Sequence, residues 1–127
     1  MPQQSIYLDG LGHGGTPIPL ACRVGDLLVT SGVGGRDRVT GAMAETVEEQ
    51  LDGCFANLAA ILAEAGMTLG NVAKLAIATR DEGDRDAINR VWLKHYPDPA
   101  RRPARHVQVA ALRGAVLVQV EATAYAD

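Results

Sequence analysis

Between Val47 and Leu62 the apolar residues recur at helical spacing. Leu51, Phe55, Leu58 and Leu62 form one stripe, with Val47, Cys54 and Ile61 beside it. Thr46-Val47-Glu48-Glu49 fits a capping box, in which the Thr46 hydroxyl accepts from the amide three residues on and Glu49 reaches back. Gly66 is placed to end this helix. A second helix is predicted from Arg85 to Tyr96 and is stopped by Pro97 and Pro99. Ala87, Val91 and Lys94 share one side of it; Ile88, Trp92 and His95 share another. Elsewhere the period shortens. Ser5–Asp9 reads as a short strand, and Leu20–Gly32 as a hairpin turning at Gly25-Asp26. Val72–Arg80 is rich in alanine and is placed as a strand by its boundaries, Gly70-Asn71 and Asp81. Ala104–Leu112 and Val116–Tyr125 complete the set, joined at Arg113-Gly114. The order β(ββ)αβαββ predicts an α+β domain, two helices against one mixed sheet.

The remaining features narrow the class. A length of 127 residues fits one domain, residues 1–127. The formal net charge of −3 argues against a general nucleic-acid binder, which needs a basic stripe to displace counterions. The first ten residues, MPQQSIYLDG, have neither a basic nor an apolar segment of a secretory signal. The longest helical stretch is broken by Glu64 and is too short to cross a bilayer. The expectation is a cytoplasmic protein with no membrane partner. Cys22 and Cys54 read as buried free thiols, without metal-like spacing. His13, His95 and His106 are scattered, with no helical i,i+4 pair, so no metal site is expected. Gly10–Gly15, GLGHGG, neither opens a helix nor ends in Lys-Ser/Thr, so it reads as a mobile loop in which His13 can fold over a cleft.

Two charged residues stand in apolar strands. Arg105 opens RHVQV, where Val107 and Val109 share its side of the strand. A guanidinium offers a planar fork that matches a carboxylate. Arg101 and Arg102, in the proline-rich approach, read as solvated. Glu121 stands in VQVEA, and a carboxylate there needs a partner or a task.

Several strings, in order, resemble the RidA/YjgF family of reactive-intermediate deaminases. They are VGDLLVTSG, the TG of VTG, TVEEQLDGCFANLAAILAEAG, the Asn of DAINRVW, RPARHVQVAAL and LVQVEATAYA, which together span about Pro17 to Ala126. The resemblance implies a chorismate-mutase-like fold: a mixed sheet of about six strands with two helices on one face, assembled as a homotrimer. It implies sites in clefts between subunits. There 2-enamine and 2-imine carboxylates are hydrolysed to a 2-keto acid and ammonia, without a cofactor or metal. The family arginine that clamps the substrate carboxylate falls on Arg105, and the glutamate associated with the attacking water falls on Glu121. Backbone contacts fall on Gly32 and Val107, and a family asparagine falls on Asn89. The tyrosine that commonly lines the site is Ile18 here, the glutamine of PYSQAV is Leu20, and the usual SGQ is Ser31-Gly32-Val33. Val107 stands where a cysteine is common. These departures imply a more apolar cleft and a bulkier or less polar substrate. They also define the alternative: a trimer of the same fold that binds a small carboxylate without turning it over. RNA cleavage, sometimes attributed to the family, is disfavoured by the acidic balance and by having one Trp and one Phe.

Overall fold

The computed structural model describes residues 2–127. Thr46 starts the first helix, its hydroxyl oxygen accepting from the Glu49 amide at 3.2 Å. That satisfies one donor left over at the helix start. The rest of the expected capping box differs, because the Glu49 carboxylate accepts from the Thr46 hydroxyl at 2.9 Å. Helix α1 (Val47–Glu64) buries the predicted stripe, and Gly66 follows it at φ +72°.

The strands are β1 (Gln4–Ile6), β2 (Ala21–Val24), β3 (Leu27–Thr30), β4 (Val72–Thr79), β5 (Ala104–Val109) and β6 (Val118–Tyr125); α2 is Arg85–His95. They form one sheet in the order β1-β2-β3-β6-β4-β5. The predicted mixed sheet with two helices is therefore present. Its one parallel pair is β4–β5, bridged by α2 as a parallel pair requires. β5 and β6 are consecutive in sequence but not adjacent, since β4 lies between them. The boundaries are tighter than expected: β1 ends at Ile6, β5 at Val109, and β6 begins at Val118.

Alternation along β6 sorts its residues cleanly. Val118, Val120, Ala122 and Ala124 are buried in the core with α1 and α2. Gln119, Glu121, Thr123 and Tyr125 lie on the other face, which no helix covers among the described residues. In β4 a register shift between Val72 and Lys74 breaks the period, so Val72 and Leu75 are both buried although three apart. Val107 is buried with the core, but Val109, on the same side of the strand, is 53% exposed. Val109 ends an edge strand, with only one neighbour beside it. In α2, Ala87, Ile88, Val91 and Trp92 are all buried, so the two predicted sides are one broad stripe. His95 stacks on Phe55 at 4.2 Å between centroids and meets Asp52 at 3.1 Å, which pins α2 to α1.

One contact inverts an ordinary rule. Gly53 lies inside α1, where alanine is normally better by about 1 kcal/mol. Here a Cβ on Gly53 would run into the Gly35 carbonyl, and a Cβ on Gly35 would run into the Gln50 carbonyl. The loop is pressed backbone to backbone against the helix. Gly53→Ala is expected to destabilise by about 1–3 kcal/mol, the range of overpacking, as a lowered midpoint in urea unfolding. An unchanged or raised midpoint would show that the loop moves away freely.

Candidate functional site

β5 carries Arg105 and Val107 on its helix-facing side, in register with Leu75 and Ile77 of β4. Asn89 and Trp92, three apart on α2, present one flank to that strand. Arg105 Nη2 donates to Asn89 Oδ1 at 2.8 Å. Its guanidinium carbon lies 5.0 Å from the centre of the Trp92 ring, within cation–π range. The guanidinium is thus held from two directions by neutral groups. No carboxylate pairs with it among the described residues, where the ion pairs are Arg90–Glu48 and Lys94–Asp52, and where His95 also meets Asp52. Burial, and then the charge of Arg85, push the Arg105 pKa down from its usual value. A guanidinium keeps its proton regardless. The consequence is a half-buried cation lacking a counter-charge, with donors to spare for an anion.

Glu121 lies on the opposite, open face of β6. Its neighbours in register are Ala76 and, two residues along, the Gln119–Ala78 pair. With Gln108 these residues line a shallow groove of about 90 Å³. Arg105 and Glu121 therefore project from opposite faces of one sheet, and a single protomer does not bring them together.

The other predicted residues divide the same way. Asn89 and Val107 gather around Arg105, whereas Gly32 sits at the end of β3 beside Gln119. Val33, next to Gly32, exchanges backbone hydrogen bonds with Val120 at 2.7 and 3.0 Å. His13 reaches across from the glycine loop and donates from Nε2 to the Gly32 carbonyl at 2.8 Å. Ile18 is 41% exposed in the approach to β2, while Leu20 and Val33 are buried. Arg102 is exposed, as expected, and it also donates to the carbonyls of Tyr96 at 2.8 Å and Pro97 at 3.1 Å. One expectation changes. Cys54 is buried and its thiol is pushed up to about 12 by desolvation, but Cys22 is only half-buried. Sequence reasoning missed Trp92 as the surface under Arg105 and Gln119 as the neighbour of Gly32. The i,i+3 spacing of Asn89 and Trp92 was the available signal for the first.

Known proteins resemble the chain over nearly its whole length. The model of the endoribonuclease L-PSP family matches residues 18–126. The 2-iminobutanoate/2-iminopropanoate deaminase of Salmonella typhimurium is 33% identical over 103 residues, 80% of each chain. A RutC family protein of Pyrococcus abyssi is 32% identical over 113 residues, 87% of each. The crystal structure of RidA from the Antarctic bacterium Psychrobacter sp. superposes with a TM-score of 0.86 at 31% identity, covering 96% of this chain and 98% of that one.

Proposed function

The chain belongs to the endoribonuclease L-PSP family, that of the RidA and RutC proteins, and we propose that it is a hydrolytic deaminase of 2-enamine and 2-imine carboxylates. The observation that carries this reading is Arg105: a half-buried guanidinium, braced by Asn89 and Trp92, without a carboxylate partner among the described residues. Its free donors suit the substrate carboxylate. The deaminase name of the Salmonella relative supports the chemistry.

The reaction asks for little machinery. An enamine first takes a proton at C3 and gives one up from nitrogen, becoming the imine. Water then adds to C2 while its proton moves toward nitrogen. The resulting carbinolamine collapses to the carbonyl as ammonia leaves. Glu121, open to water on its strand face, takes the proton from the attacking water and returns it to the departing nitrogen. Arg105 holds the carboxylate so that C2 is presented to that water.

Because Arg105 and Glu121 project from opposite faces, one substrate can meet both only where two copies of the chain adjoin. The open face supports such an assembly. Leu27, Val29 and Tyr125 are each at least 40% exposed there, on the same face as Thr123 and Glu121. A homotrimer buries these residues and places the cleft between neighbours. A carboxylate metabolite fits this site better than a nucleic acid, given the net charge of −3.

The direct test generates 2-aminoacrylate with a dehydratase and follows ammonia and keto-acid release. Added protein is expected to accelerate release well beyond the buffer rate. No acceleration across several 2-iminoacids would overturn the deaminase reading.

A further inference from the structure

The glycine loop closes over a cavity of about 210 Å³, lined among others by Leu11, His13, Leu20, Gly32, Val33 and Gln119. The volume is below the range of drug-sized pockets and suits a small metabolite. His13 is the ionisable ring in its wall. Its Nε2 lies 2.8 Å from the Gly32 carbonyl oxygen. A carbonyl oxygen only accepts, so Nε2 carries the proton. In the neutral ring Nδ1 is then a bare acceptor. That atom is buried and has no hydrogen-bond partner among the described residues. Buried polar atoms are nearly always paired, so an unpaired one calls for an explanation.

The position of the cavity supplies it. Gln119 lines both this cavity and the groove that holds Glu121. The two residues are two apart on β6 and share its open face. Gly32 permits the close approach, since a Cβ there would stand 3.1 Å from the Gln119 amide nitrogen. Gln119 thus stands between the cavity of His13 and Gly32 and the groove of Glu121.

We propose that His13 is a substrate-contacting residue: its ring, fixed by the bond to Gly32, offers Nδ1 as the acceptor for the N–H group at C2 of the substrate. The apolar walls, Leu11, Leu20 and Val33, then take the alkyl end. The acceptor distinguishes the nitrogen-bearing substrate from the keto acid, which has no N–H at C2. It favours the reactant and releases the product. This rests on the deaminase reading, and it adds a residue and a direction of selectivity to it.

Oxamate and pyruvate form a matched pair for the test. Both are carboxylates of nearly the same shape, and oxamate carries an amino group on C2 where pyruvate carries a methyl. Affinities would be measured by calorimetric titration. The wild-type protein is expected to prefer oxamate by roughly five- to tenfold, the yield of one net hydrogen bond. His13→Gln keeps a donor near the Nε2 position and lacks the Nδ1 acceptor. It is expected to hold pyruvate as the wild type does and to lose the oxamate preference. A preference that survives in His13→Gln overturns the role of His13 while leaving the carboxylate site intact. Equal loss of both ligands in this variant, with its unfolding transition unchanged, makes His13 a loop anchor only and also overturns the proposal. Failure of the wild type to bind either ligand overturns the carboxylate reading itself, and the His13 role with it.

Discussion

Replacing Arg105 with alanine is expected to weaken binding of a small 2-keto acid by roughly 30- to 700-fold, a loss of about 2–4 kcal/mol, the value of two charge-assisted hydrogen bonds reduced by the site's partial exposure to water. The fall in kcat/KM should be at least as large, because the carboxylate is gripped throughout the reaction. Arg105→Lys should lie between the two. It keeps the charge, but it loses the fork and the flat face that rests on Trp92 at 5.0 Å. Unfolding should change little, since the arginine is half-buried and makes one side-chain hydrogen bond besides its contact with the Trp92 ring. Titration calorimetry on the three proteins reads this directly. Alanine and wild-type proteins with equal affinity would place the carboxylate elsewhere.

The second large effect is catalytic and leaves binding alone. Glu121→Gln should lower kcat by about 10²–10⁴, the usual worth of a positioned proton acceptor, while keto-acid affinity stays within about twofold. A carboxylate-binding protein without turnover would show no such separation. The opposite faces of Arg105 and Glu121 give this variant a further use. Neither single variant should be active alone. Co-refolded in equal amounts, they should regain roughly a quarter of wild-type activity if each site takes its arginine and its glutamate from different copies. No recovery in mixed oligomers would mean that both residues serve one site from the same copy.

Helix α1 was legible because its determinants are local: a hydroxyl at Thr46, apolar residues three and four apart, and Gly66. β4 was legible by its boundaries, but not by its period, because the irregularity between Val72 and Lys74 shifts the inward set by one residue. The exposure of Val109 was hidden for a related reason. Alternation says which side a residue is on, not whether anything covers that side. The site divides similarly. Arg105 and Glu121 stand out in sequence as charges in apolar strands, and alternation placed each on its own strand. Which face of the shared sheet each strand would turn inward depends on β4 lying between them. The bond from His13 to Gly32 spans 19 residues and ends on a backbone carbonyl, so no residue pattern announces it.

Trp92 is 8% exposed, lies 5.0 Å from the Tyr96 ring, and carries the Arg105 guanidinium over its own ring. A single rigid ring is thus both core packing and the bed of the guanidinium. Arginine on a loop must be immobilised when its ligand arrives, at a cost of about 0.5–1.5 kcal/mol in side-chain entropy. Here that ordering is completed as the chain folds, so the receptor is preorganised and a ligand of few atoms can still be held.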